Sequence, residues 1–149
     1  MKTIEMIGIN LLKISTVYLL TGVCVGMYVG ITKNYAISSV HAHINLLGWA
    51  TMGLSGIAYI ILAPNISRRL ALIHFWSHNI GLPIMMISIF LFAGGNVKAA
   101  PYIPIGSVIT LLSLLVFAVN IILFASKSNL PSRRVQNDSG IEIYYTHQH

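Results

Sequence analysis

The sequence predicts an all-α integral membrane protein with four transmembrane helices and both termini cytoplasmic. Three observations predict it. The 149 residues are 56% hydrophobic and only 8% charged, against about 25% charged in a soluble domain. The apolar residues gather in blocks of about 20 or more, the length that crosses a bilayer. The three acids, Glu5, Asp138 and Glu142, lie near the chain ends, outside every block.

The first expected helix covers about residues 7–31. Lys2 precedes it, but no small-residue cleavage site interrupts the apolar run, so it reads as a retained helix. Gly22, Gly26 and Gly30 recur every four residues and share one face, a stripe suited to close helix packing. Lys13 lies about one turn inside and reaches the interface by snorkelling. Lys33, Asn34 and Tyr35 form a short turn.

The second helix covers about residues 36–62 and opens on Val40-His-Ala-His-Ile-Asn-Leu-Leu-Gly-Trp49. Pro64 and Asn65 end it, and Arg68 and Arg69 follow. The third covers about residues 70–94 and holds His74-Phe-Trp-Ser-His78-Asn-Ile-Gly-Leu-Pro83. Pro83 is expected to kink it. Gly94, Gly95 and Asn96 break it. The fourth covers about residues 103–125, contains no histidine, and carries Ser107, Thr110, Ser113 and Asn120, small enough for helix–helix hydrogen bonds. Residues 1–126 thus form a transmembrane domain and residues 127–149 a polar cytoplasmic tail. Within the tail, Ile141, Ile143, Tyr144 and Tyr145 suit a short strand, and His147 and His149 read as solvated.

Net charge is +6. The cations flank apolar blocks, which points to topology and anionic lipid as partner, not to nucleic acid. The positive-inside bias sets the orientation in a cell inner membrane. His41 and His43 then lie near the outer surface, His74 and His78 in the inner half. Cys24 is the only cysteine. That excludes an internal disulfide and covalent heme attachment through Cys-x-x-Cys-His.

Imidazoles at membrane depth are costly and default to function. Neutral imidazole ligates iron, copper and zinc. With no thiolate or carboxylate at the same depth, heme or copper remains. At about 100° per residue, His41 and His43 diverge by about 200° and serve two faces of one helix. His74 and His78 share a face with Gly81 and Met85, where the glycine leaves room for a flat macrocycle. Counted from the turn near Asn65, His43 and His78 differ in depth by roughly 13 Å. A heme clamped between them in one chain is therefore strained. His41 and His43 differ by only about 3 Å, so a heme shared between His43 of one protomer and His41 of another fits better. That requires a closed homo-oligomer.

His43-Ile-Asn-Leu-Leu resembles the second-helix motif of the heme-copper oxidase superfamily, nearest its nitric oxide reductase form, where such a stretch carries a low-spin heme ligand. His41-Ala-His43 also resembles that superfamily's tenth helix. Phe75-Trp-Ser-His-Asn79 is faintly similar to a copper-ligand stretch. The whole chain resembles the short four-span proteins named as cytochrome oxidase subunit I-like, over about residues 40–86. The resemblance implies heme b, held non-covalently, with His43 an axial ligand and His41 a second ligand on the opposite face. It implies that His78 ligates heme or a metal and that His74, less securely, does too; copper at His74 and His78 is the metal alternative. It also implies a homotrimer, because a four-span chain is similar to one arc of that family's pseudo-threefold ring. The chain lacks an adjacent His-His pair, carries Leu82 where a tyrosine crosslink would follow His78, and has no intramembrane acid. One chain pumping protons coupled to oxygen reduction is therefore not expected. The expected function is electron transfer or diatomic gas binding. Copper or heme transport is one alternative, with Met27, Met52, Met85 and Met86 as soft ligands. An accessory subunit of a respiratory oxidase is another.

Overall fold

The computed structural model describes residues 3–124, together with Val135–Gln136 and Glu142–Ile143. Four helical stretches long and apolar enough to cross a bilayer run through it: Thr3–Thr32, Tyr35–Ile61, Arg68–Ala93 and Val97–Leu123. Each contains the span expected at its place in the sequence to within a few residues. The four residues of the tail pair as a minimal antiparallel ladder, Val135 with Ile143 and Gln136 with Glu142. His147 and His149 lie outside the described residues.

Helix α1 is Thr3–Thr32. The second span is not one regular helix. It begins with α2, Ser38–His43, loosens into a π-helical segment, Ile44–Thr51, and resumes as α3, Met52–Ile61. The Thr51 hydroxyl donates to the Leu46 carbonyl, five residues back, as a π turn allows. Helix α4, Arg68–Ala93, runs unbroken through Pro83. Helix α5 is Tyr102–Phe124.

These elements pack as two hairpins: α1 against the second span, and α4 against α5. The hairpins turn in the same way. Lys33 and Gly95 both adopt positive φ, 55° and 93°. Each is followed by an asparagine whose side chain accepts from the backbone two residues on, Ala36 for Asn34 and Lys98 for Asn96. Each asparagine then starts a one-turn 3-10 helix, Tyr35–Ile37 or Val97–Ala99. Gly95 meets the left-handed conformation without a Cβ clash, whereas Lys33 carries one.

Close crossings occur where side chains are missing. A Cβ on Gly8 would sit 2.6 Å from the Gly56 carbonyl, and one on Gly56 would sit 2.7 Å from the Gly8 carbonyl. That reciprocal contact joins α1 to α3. The outward surfaces carry large apolar residues such as Leu20, Ile31, Leu54, Ile87 and Ile122, a pattern suited to lipid. The interior is where the polar groups sit. Ser15, Ser55, His74, His78, Ser113 and Asn120 are fully buried.

Candidate functional site

The outer histidines lie in regular α-helix, so their divergence around α2 stands. The His41 ring faces α1. Its Nδ1 is 2.8 Å from the Gly22 carbonyl, to which it donates. The ring rests on Gly26, where a Cβ would come within 2.5 Å of Cε1. Asn45 fills the space over Gly22 and donates to the His41 carbonyl, 2.9 Å away. The glycine stripe of α1 therefore receives two polar side chains at Gly22 and Gly26, not the backbone of another helix. Gly30 meets nothing within 4 Å.

His43 points elsewhere and is half-buried. Its Nδ1 donates to the Ser39 carbonyl at 2.8 Å, with the Ser39 hydroxyl at 3.3 Å. Both outer imidazoles therefore carry their proton on Nδ1. Each keeps a lone pair on Nε2, which bonds no described residue. An Nδ1–H fixed by a carbonyl, with Nε2 left bare, is how metal-ligating histidines are oriented.

The inner histidines are fully buried between the hairpins. His78 is held at both ring nitrogens. Nε2 donates to the Leu47 carbonyl at 3.2 Å, and Nδ1 lies 2.9 Å from the Ser113 hydroxyl. Its proton thus sits on Nε2, the reverse of the outer pair. The Ser113 hydroxyl also lies 2.7 Å from the Thr110 carbonyl, so Nδ1 and that carbonyl compete for one hydrogen. His74 meets the Tyr59 hydroxyl through Nδ1 at 3.1 Å. Its Nε2 is buried and has no partner. The His74 ring lies 5.5 Å from His78 and 5.1 Å from Phe117, centroid to centroid. The Asn120 side chain holds the backbone at the start of α4: Oδ1 accepts from Ser67 N–H at 3.0 Å and Nδ2 donates to the Ser67 carbonyl at 3.2 Å.

Two expectations need correction. The Leu47 bond puts the His78 ring one helical turn from His43, much less than the roughly 13 Å drawn from straight, level helices. The π-helical segment Ile44–Thr51 departs from the regular rise assumed there. Gly81 gives no room for a macrocycle either. α5 crosses there, and an added Cβ would meet Ile109 and Thr110 at 2.8 Å.

Sequence reasoning missed Tyr59 and Ser113 as partners of the inner histidines, and Asn120 as the partner of Ser67. The signal was available for Ser113 and Asn120, polar residues in an otherwise apolar helix. For Tyr59 there was none, because a tyrosine in an apolar run suits a core equally well. Among the described residues, no group of three or more His, Cys, Asp or Glu side chains gathers around a point. His74 and His78 therefore form a pair without a third such ligand.

No protein-family model, curated protein or solved structure matches the chain.

The donor set suits the axial positions of a heme. His41 and His43 each present a bare Nε2, and the buried Nε2 of His74 lacks any partner. The room for a macrocycle is not at the inner pair. A cavity of about 640 Å³ lies at the turn end of the molecule, between Tyr28, Ile37, Phe90 and Asn96, and no histidine lines it. His43 itself is half-buried on α2.

Proposed function

We propose that this chain is a multi-pass protein of the cell inner membrane that binds heme b non-covalently through His43, for electron transfer or diatomic gas binding. The observation that carries the reading is the fixed tautomer of His43. The Ser39 carbonyl holds Nδ1–H at 2.8 Å and leaves Nε2 as a ligand aimed away from α1. His41, fixed in the same way by Gly22, supplies a second ligand on the opposite face. The similarity of His43-Ile-Asn-Leu-Leu to the heme-copper oxidase superfamily supports the same assignment. Heme supplies a one-electron couple when two imidazoles bind its iron, and a site for nitric oxide or oxygen when one does.

The chain's residues orient and insulate. Ser39 and Gly22 set the tautomers. The apolar side chains of the second span would keep water from a heme bound there. Because His43 is only half-buried in one protomer, a heme on it would be covered by a second copy, in a ring of three. Positive charge at Arg68 and Arg69 favours placing that turn, and both termini, on the cytoplasmic side.

The test is an optical spectrum of the purified protein with its heme-to-protein ratio. A red protein with a Soret band that sharpens on reduction is expected. Colourless protein after expression with ample heme would overturn the reading. Carbon monoxide binding separates an open iron from a closed one.

A further inference from the structure

The two hairpin turns lie at the same end of the bundle, and the cavity described above is a cleft between them. Its volume of about 640 Å³ falls within the roughly 300–1,000 Å³ of small-molecule sites. Its walls come from both hairpins: Val25 and Ile37 from the first, Phe90 and Leu91 from the second. Cys24 is the lining residue of α1 furthest from the turns. From Thr32 back to Cys24, α1 descends about 12 Å. That approaches half of the hydrocarbon core, which is about 30 Å thick.

The mouth differs from the walls. Asn34 and Asn96 both line the cleft. Each commits its Oδ1 to its own turn, which leaves the Nδ2 hydrogens as donors. Lys33 and Lys98 belong to the same two turns, and both are exposed. The acids nearest in sequence are Glu5, at the far end of α1, and Asp138, beyond α5, so neither turn carries one. Helices α1 and α4 end here while α2 and α5 begin here. Their dipoles offset, and the lysines set the sign of the charge. Tyr28, Tyr35 and Tyr102 are exposed around this end, as tyrosines are at a membrane–water interface. A compact polar ligand accounts poorly for this shape, because the donors gather at the mouth and the walls beneath are largely apolar. An acyl chain below an anionic headgroup matches both parts.

We propose that an anionic phospholipid seats one acyl chain in this cleft, between α1 and α4, with its phosphate at Lys33, Lys98 and the two asparagine amides. No histidine lines the cleft, and the site does not depend on a bound heme. The lipid joins the hairpins at the end opposite the contact of Asn120 with Ser67.

Cys24 is the only cysteine, so its alkylation by N-ethylmaleimide reads occupancy of the cleft. Delipidated full-length protein in detergent receives phosphatidylglycerol or phosphatidylcholine with the same acyl chains. Phosphatidylglycerol is expected to slow alkylation at concentrations where phosphatidylcholine does not. Lys33→Gln and Lys98→Gln each raise the phosphatidylglycerol concentration required by about fivefold. Both lysines are exposed, so these variants keep the fold. Arg68→Gln with Arg69→Gln, at the other end of the bundle, leaves that concentration unchanged. Equal protection by the two lipids would overturn the proposal, as would alkylation indifferent to both. So would an equal loss in the arginine variant, which would show a general attraction to basic charge.

Discussion

His78 donates its Nε2 hydrogen to the carbonyl of Leu47, 3.2 Å away, and so ties α4 to the π-helical part of the second span. The bond crosses between the two hairpins. The His78 ring is fully buried, so water does not compete for its hydrogen, and the bond holds firmly. The π segment makes the bond available, because a loosened turn offers carbonyls to partners outside the helix. The same bond sets the His78 ring one helical turn from His43, while His74 lies further along, at Tyr59.

His43→Ala is expected to lower the heme-to-protein ratio about tenfold or more and to remove any low-spin spectrum, since an axial nitrogen is lost. His41→Ala does the same if neighbouring protomers share the heme. Pyridine hemochrome assay and the Soret region measure both. Loss of heme in His78→Ala with heme retained in His43→Ala would move the site to the inner pair.

Native mass spectrometry of the heme-loaded protein is expected to give three copies. A strict monomer that keeps its heme in detergent rules out a site closed by a second copy.

Tyr59→Phe leaves Nδ1 of His74 unpaired beside an already unpaired Nε2, and is expected to cost about 1–3 kcal/mol. The pair Tyr59→Phe, His74→Phe removes both polar partners and keeps the ring shapes. It is expected to unfold no more easily than Tyr59→Phe alone. Thermal unfolding in one detergent gives the comparison, and additive losses would show that the two residues do not act as a pair.

Asn120→Ala leaves the Ser67 N–H at the start of α4 without its acceptor, while the Ser67 carbonyl keeps the Ala71 N–H; no side chain caps the helix there. A loss of about 1–3 kcal/mol is expected, with faster amide exchange in the first turn of α4. An unchanged melting temperature would argue that water replaces the amide at no cost.

Gly56→Val pushes a side chain into the Gly8 carbonyl, 2.7 Å from the position of its Cβ. Backbone cannot swing aside, so the substitution is expected to cost about 1–3 kcal/mol or more. Gly30→Ala, with nothing within 4 Å, serves as its silent control in the same unfolding assay.

The spans were legible because hydrocarbon-length apolar blocks are a coarse property that many residues vote for. The turns were legible through Pro64, Gly94 and Gly95. What could not be read was anything depending on which helix lies beside which. Gly22, Gly26 and Gly30 promise close helix packing, yet the first two receive Asn45 and His41, and the reciprocal crossing is at Gly8 and Gly56. The π segment leaves no mark in Ile44–Thr51, since π turns share the residues of ordinary helix. Without it, the level of His78 against the second span was misplaced. The 200° divergence of His41 and His43 was sound because both lie before the π segment.

The division into two hairpins has a consequence for how the chain enters a membrane during synthesis. The first hairpin joins α1 to α3 through its own glycine contact and places His41 and Asn45 on α1 as it forms. Helix α4 cannot do the like. Its two buried imidazoles find their partners on other helices: Leu47 and Tyr59, already made, and Ser113, not yet translated when α4 leaves the ribosome. Alone in lipid, α4 would carry those imidazoles unsatisfied. Insertion in chain order would therefore couple the lateral release of α4 to capture by the earlier hairpin, with α5 closing the bundle last.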